Sequence, residues 1–265
     1  MKLNSLSIRT NMIFARNDSE IIERESYIVV KSMNNPTFHW GNYLIFKKAP
    51  VDGDIINWIN IFQREFSHYK EFVHYLFLWD EPAEPKSNEY LAEGFELQKS
   101  ISLSAKILNP PKHPNPEVIV RLLTSEQDWK DCAELQVLTR DSHFSYESYM
   151  EFKLAQDLAY KKLIKENRGG RFGAFLNGTL VADLGIYFES GLARYQSVVT
   201  HPDYRSRGVC GTLVYESGKY ALENWPVNTL TMEADPDYHA ARIYESVGFL
   251  PVENSYALYW YKFKP

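Results

Sequence analysis

The chain has 265 residues, 45% apolar and 15% aromatic, with 24% charged residues and a formal net charge of -5. That length and composition suit one large domain or two ordinary ones with real cores and exclude a disordered chain. The lack of a net basic field argues against nucleic acid as a partner, and two cysteines, Cys132 and Cys210, are too few for a disulfide framework or a cysteine-based zinc site, which fits a reducing compartment.

The opening segment, MKLNSLSIRTNMIF, has no uninterrupted apolar core of signal-peptide length. No run approaches the ~20 apolar residues of a membrane span, so a cytoplasmic protein without a membrane partner is expected. The aromatics of NPTFHWGNY are of a kind that more often fills a core than lines a ligand site. GNYLIFKKAPVDGDIINWINIF reads as strand, loop and helix, and YLFLWDEPAEPKSNEYLAEGFEL as a strand followed by a helix ending in Gly-Phe. Leu108 to Glu117, LNPPKHPNPE, then holds four prolines, which fix φ and remove backbone donors. The domain boundary is expected there: a first domain over 1–108, a linker over 109–117 and a second domain over 118–265.

In the second half EVIVRLLT reads as a strand and SEQDWKDCAELQVLTR as a helix with Ser125 as its N-cap. A second helix is expected from about Ser145 to Asn167, with Tyr149, Phe152, Ala155, Leu158 and Leu163 on one face and a stop at Gly169-Gly170. Asn177-Gly178 accepts φ > 0 at both central positions and predicts a two-residue hairpin turn inside RFGAFLNGTLVADLGIYF. ARYQSVVT is a further strand after Gly191, residues 208–224 a helix, VNTLTMEA a strand, DYHAARIYESVGF a helix and SYALYWYKF a last strand. The order β-α-α-β-β-β-α-β-α-β predicts a mixed α/β (α+β) domain on a mostly antiparallel sheet with one β-α-β crossover.

VVTHPDYRSRGVCGTL lies in that crossover. A strand ending at Thr200, a short loop and Gly208 opening a helix would leave backbone N–H groups and the positive end of a helix dipole free for an anion, above all a pyrophosphate. Gly208 and Gly211 would let backbone approach it, and Arg205 and Arg207 would add charge. On the R-x-x-G spacing alone, an ordinary surface turn with solvated arginines is the better description.

Two motifs together change that balance. Residues 199–213 resemble motif A of the GCN5-related N-acetyltransferases (the GNAT family), with Pro202, Arg205 and Gly208 matching and Cys210 where a second small residue is usual. DYHAARIYESVGF resembles that family's motif B through Ala240, Tyr244, Gly248 and Phe249, with Asp237 where Asn is commoner. The resemblance covers about Val118 to Tyr261. It implies a GNAT-like sheet flanked by helices, and acetyl-CoA as co-substrate with no metal. It further implies backbone contacts to the pantetheine arm from Val198, Val199 and Thr200. The pyrophosphate would be held by the amides of Arg205, Ser206, Arg207, Gly208, Val209, Cys210, Gly211 and Thr212. A small-molecule or peptide primary amine would attack the thioester directly in a ternary complex, and Tyr244 matches the residue that usually protonates the leaving thiolate, a role open to a phenol with pKa near ~10. A packing residue on an amphipathic helix is the alternative for Tyr244.

A base to take the amine's proton is less legible. Glu233 and Glu189 fall near strand ends, and His201 and His239 flank the motifs; Glu233 is the candidate carried forward, beside a water chain. Cys210 at a helix start invites a nucleophile, but a small, partly buried spacer is expected. Glu233, Asp235 and Asp237 would attract a cationic amine and are equally consistent with a solvated turn.

At an offset of 154 residues, Leu76 falls on Leu230, Pro82 on Pro236, Tyr90 on Tyr244, Gly94 on Gly248 and Phe95 on Phe249. Two tandem copies are therefore expected. Arg205 and Gly208 fall on Val51 and Asp54, and a carboxylate at a helix start repels a pyrophosphate, so the first copy is expected to be degenerate. It would serve packing or shape a groove between the halves for the acceptor. The alternative for the whole chain is a non-catalytic acyl-CoA-binding or scaffold module.

Overall fold

The runs YIVV, YLIF and YLFLW are apolar at every position, the pattern of strands covered on both faces. A computed structural model, which describes residues 1–32, 38–69, 71–141, 144–236 and 240–262, places all three inside one sheet. Packing divides the chain into two units, Met1–Ile101 with Glu253–Pro265, and Ser102–Val252.

The first unit runs α1 (Leu6–Asp18), β1 (Ser19–Glu23), β2 (Tyr27–Ser32), β3 (Tyr43–Phe46), α2 (Asp54–Glu65), β4 (His74–Trp79), α3 (Glu89–Ala92) and into β5 (Glu96–Ala105). Strands β1, β2 and β3 pair antiparallel in that order, and β3 pairs parallel with β4. Alternation sorts the side chains. Ile28, Val30, Ile45, Leu76 and Leu78 meet Ile8, Met12 and Ala15 of α1, while Val29, Leu44, Phe46 and Phe77 meet Ile55, Trp58 and Phe62 of α2. Phe46 stacks on Trp58 at 3.8 Å between ring centroids, and rings of this unit account for much of the aromatic content.

The second unit continues with β6 (Ile119–Leu122), α4 (Glu126–Leu138), α5 (Tyr146–Lys165), β7 (Gly169–Leu176), β8 (Thr179–Glu189), β9 (Leu192–Thr200), α6 (Val209–Asn224), β10 (Thr229–Ala234) and α7 (Ala240–Ser246). Strands β6 to β9 form an antiparallel meander, and β10 adds parallel to β9 after the crossover through α6. This is the mixed, mostly antiparallel α/β arrangement expected. Ser125 caps α4 in a reciprocal box with Asp128, Ser145 caps α5, and Asn177 and Gly178 turn the hairpin at φ 49° and 80°. Helix α6 lies close on β9 because Gly218 has no Cβ: one placed there would sit 2.0 Å from the hydroxyl of Tyr195, which donates to the Val214 carbonyl at 2.8 Å.

Two expectations need correction. The apolar face read for α5 holds at Leu163, which is buried, and in part at Tyr149, Phe152 and Ala155, which are half-buried, but Leu158 is 69% exposed and the buried positions also include Lys153, Asp157 and Tyr160. Lys153 and Asp157 pair at 2.9 Å one turn apart, which lets two charges share the interior. The helix ends at Lys165 with Glu166 as its C-cap, and Asn167, in left-handed conformation at φ 56°, turns the chain ahead of the glycines. The last strand, β11 (Leu250–Tyr261), pairs antiparallel with β4 from Ala257/Leu78 to Tyr261/His74, inside the first unit. Leu258 and Ala257 enter that unit's two core layers, and the Glu253 carboxylate accepts from Ser5 Oγ and Leu6 N–H at the start of α1.

Candidate functional site

The parallel ladder of β9 and β10 runs through Leu192/Thr229, Ala193/Leu230 and Arg194/Thr231 and stops there, although β9 continues to Thr200 and β10 to Ala234. On its other edge β9 stays paired with β8 as far as Thr200. Residues 195–200 therefore have backbone outside the ladder on the β10 side, and Val198, Val199 and Thr200 lie in that open stretch.

A bulge accompanies the opening. The β8–β9 register passes from Gly185/Gln196 to Asp183/Val199, so Ser197 and Val198 together face Leu184, and Ser197 has φ 51°. Side chains beneath hold it. Gln136 of α4 donates through Nε2 to the Ser197 carbonyl and to Asp183 Oδ1, both at 3.0 Å. Asp183 also pairs with Arg171 of β7 and accepts from Cys132 Sγ at 3.3 Å. All four side chains are buried, and burial pushes the Cys132 thiol up, which keeps it a neutral donor. Sequence reasoning missed this network. Its signal was a charge inside each of two otherwise apolar strand runs, Arg171 in RFGAF and Asp183 in LVADLG.

Beyond Thr200 a 3-10 turn, Pro202–Tyr204, leads into the loop. Arg205 folds back and donates from Nε to the Thr200 carbonyl at 3.2 Å, and the Arg207 guanidinium lies over the Tyr204 ring at 5.3 Å. Ser206 has φ 58°, and Gly208, at φ 74°, is the N-cap of α6. No acidic residue stands in the first turn of α6, so its N-terminal amides and dipole face no charge of their own chain there. Arg205, Ser206 and Arg207 are exposed, and Val209, Gly211 and Thr212 are buried. Cys210 is largely covered, and burial pushes its thiol up to about 11, as suits a spacer rather than a nucleophile.

The proline-rich segment packs on this turn. Asn115 donates its N–H to Thr212 Oγ1 and its Nδ2 to the Arg207 carbonyl, both at 2.9 Å. A Cβ on Gly208 would lie 2.3 Å from the His113 carbonyl oxygen, so the glycine serves the chain's own close approach as well as its left-handed φ.

Tyr244 is 6% exposed on α7. Glu233, on β10 two residues beyond the last paired rung, accepts at Oε2 from Arg194 at 2.9 Å, while its Oε1 is buried with no hydrogen-bond partner among the described residues. Glu189 pairs with Arg168 at 2.9 Å, and His201 Nδ1 accepts from the Asp203 N–H at 3.2 Å. Asp237 and His239 lie outside the described residues.

The first unit repeats the strand–loop–helix with different detail. Gly53 caps α2 at φ 84°, ψ -11°, near the φ 74°, ψ -1° of Gly208. The structural counterpart of Gly208 is thus Gly53, not the Asp54 that the ungapped offset selects; the left-handed N-cap requires glycine, and the loop absorbs one residue. Asp54 is still the first helical residue. Its carboxylate accepts from Val51 N–H at 2.9 Å, and Glu89 accepts from Gly53 N–H at 2.6 Å. The β3–β4 pair stays closed to its end at Phe46/Trp79, and Asp80 N–H adds a bond to the Phe46 carbonyl.

A mixed sheet whose one parallel pair opens ahead of a glycine-capped helix defines an α/β domain with a ready anion site at the crossover. The Acetyltransferase (GNAT) family model matches residues 129–249, all inside the second unit. The second unit therefore matches the GNAT family model, and that match supports acyl-CoA-dependent acetyl transfer in general. In fold the chain is similar to a functionally unknown conserved protein of Staphylococcus epidermidis, at TM-score 0.75 and 14% identity over 93% of this chain and 95% of that one. It is also similar to a GCN5-related N-acetyltransferase from Kribbella flavida, at TM-score 0.67 and 13% identity over 98% of both chains. A tandem GNAT protein from the clavulanic acid biosynthesis pathway matches at TM-score 0.58 and 12% identity over 97% of this chain and 88% of that one. No curated protein matches in sequence. Among the described residues no helix is long and apolar enough to cross a membrane, and no three His, Cys, Asp or Glu side chains gather as metal ligands would.

Proposed function

We propose that the second unit transfers an acetyl group from acetyl-CoA to a primary amine, by direct attack in a ternary complex. The observation that carries this is the opening of β9 from β10 after Arg194/Thr231, directly ahead of the Gly208-capped helix. Free strand backbone at Val198, Val199 and Thr200 suits the amide-rich pantetheine arm, and the amides from Arg205 through Thr212 suit the pyrophosphate. Arg205 and Arg207 are engaged with Thr200 and Tyr204, so the amides and the helix dipole do most of the holding.

The neutral amine bonds to the thioester carbon, the C–S bond breaks and the departing thiolate takes its proton from the Tyr244 phenol, while the amine nitrogen gives up its proton at Glu233 Oε1, the carboxylate oxygen without a partner among the described residues. The acceptor is a small-molecule or peptide amine. The first unit is a second copy of the fold, with Asp54 and Glu89 at its cradle amides and its strand pair closed, and it takes no CoA.

The test is to incubate the protein with acetyl-CoA and a panel of polyamines, amino sugars, amino acids and lysine peptides, following free thiol. Amine-dependent thiol release that falls at least ~100-fold in Tyr244→Phe supports the assignment. CoA binding without turnover on any amine, with no effect of Tyr244→Phe, replaces the enzyme with a binding module.

A further inference from the structure

Asn115 reaches the cradle turn from the proline-rich segment with each of its polar groups engaged. Its N–H donates to Thr212 Oγ1 and its Nδ2 to the Arg207 carbonyl, while its Oδ1 accepts from the Glu117 N–H at 3.0 Å and its carbonyl from the Val118 N–H at 3.3 Å. These partners fix which way the side-chain amide lies. Reversed, Oδ1 would face the Arg207 carbonyl oxygen and Nδ2 would face the Glu117 N–H, and both bonds would be lost.

The bond to the Arg207 carbonyl orients a peptide. In a trans peptide the C=O and N–H point to opposite sides, so with the Arg207 carbonyl turned to Asn115 the Gly208 N–H turns away from the segment. Local backbone preference alone does not hold that orientation. Ser206 is at φ 58° and Gly208 at φ 74°, and glycine takes φ of either sign with similar ease, so the peptide between residues 207 and 208 turns over at little steric cost. Turned over, it would present a carbonyl oxygen where the N–H had been, and an anion would be repelled.

The first unit shows what such an amide does. Gly53, the N-cap of α2 in nearly the conformation of Gly208, donates its N–H to the Glu89 carboxylate at 2.6 Å. A glycine cap of this geometry thus aims its amide at an anion, and in the second unit the helix's first turn supplies no carboxylate to take that place.

We propose that Asn115 is a positioning residue for acetyl-CoA, holding the Arg207–Gly208 peptide with its N–H toward the pyrophosphate, so that the proline-rich segment sets how strongly the phosphates count in binding. The proposal rests on the acetyl-CoA reading of the second unit. Calorimetric titration of the full chain with three ligands tests it: acetyl-CoA, 3′-phospho-ADP, which has the pyrophosphate without the pantetheine arm, and S-acetylpantetheine, which has the arm without a phosphate. Asn115→Ala removes the donor without adding charge, and Asn115→Asp removes it while keeping an oxygen for the Glu117 N–H. Each should weaken acetyl-CoA and 3′-phospho-ADP by roughly 5- to 10-fold, the worth of one oriented hydrogen bond, and leave S-acetylpantetheine affinity and a cooperative melt unchanged. A residue that only braced the fold would weaken all three ligands alike. Equal loss for S-acetylpantetheine, or undiminished acetyl-CoA affinity in both variants, overturns the proposal alone; no acetyl-CoA binding by the wild-type chain removes the reading on which it rests, and the proposal with it.

Discussion

The backbone N–H of Gly53 donates to the carboxylate of Glu89 at 2.6 Å, at the start of α2 where the second unit's equivalent turn has no acidic residue. With Asp54 accepting from Val51, the first unit has filled its own anion site. Removing both carboxylates, in Asp54→Ala with Glu89→Ala, should cost about 1 kcal/mol for each lost cap and lower the melting temperature. It should not create a second acetyl-CoA site, because the β3–β4 pair stays closed at Phe46/Trp79. Calorimetry on the double variant checks both halves of this expectation.

The bulge at Ser197 should depend on a side chain far from any ligand phosphate. Gln136→Leu leaves the Ser197 carbonyl without its donor and Asp183 short of one partner, at a cost of roughly 1–3 kcal/mol. Acetyl-CoA affinity should fall with it, since the strand backbone that receives the ligand is no longer fixed. A denaturant melt and a titration on the same variant read the two effects. Loss of stability with unchanged affinity would mean the network serves packing alone.

Glu233 makes a kinetic prediction. In Glu233→Gln the Arg194 contact has a neutral replacement, but no proton acceptor remains at Oε1. Turnover should fall about 10²-fold or more at neutral pH and recover as pH rises and free amine becomes abundant, with acetyl-CoA affinity unchanged. A pH profile of kcat against wild type decides it; parallel profiles would leave a water chain as the acceptor.

His74 should give the first unit an acid-sensitive step. It is 2% exposed, its Nε2 lies 3.2 Å from the Asn42 carbonyl, and burial first, then His39, lowers its pKa to about 4. The unfolded chain takes up this proton near ~6.5, while the folded chain resists until about 4. Stability from this group is therefore full above pH ~6.5 and is lost as pH falls toward 4, by roughly 3 kcal/mol at most. His74→Phe, which keeps a ring and cannot titrate, should flatten that slope in urea melts between pH 7 and 4.

Much of the second unit was legible because its signals are local. Ser125, Ser145, Asn177-Gly178 and Gly208 mark caps and turns that need particular backbone chemistry, and all four do so in the structure. What failed depends on tertiary contact. Leu158 looked like core because α5 has enough apolar residues for a face, yet the interior takes Lys153 and Asp157, which a hydrophobic pattern cannot recognise as buried. SYALYWYKF reads as a strand whichever sheet receives it, and nothing in its spacing says that β4 does. The resemblance located the cradle loop, but the bulge at Ser197 and its support by Gln136 arise from register between strands. Even Gly208, read as clearance for a phosphate, also clears the His113 carbonyl.

That last contact decides how the cradle should be probed. A side chain at Gly208 would collide with the His113 carbonyl and strain a φ of 74°, so loss of binding there would say little. Ser206 is exposed and already at φ 58°, a conformation that Asp tolerates, and Ser206→Asp sets a carboxylate at the loop much as the first unit does. The most direct measurement is calorimetric titration of wild type and Ser206→Asp with acetyl-CoA. The account predicts one equivalent bound per wild-type chain, weakened at least ~10-fold in the variant at unchanged melting temperature. Two equivalents per chain, or undiminished affinity in Ser206→Asp, would contradict it.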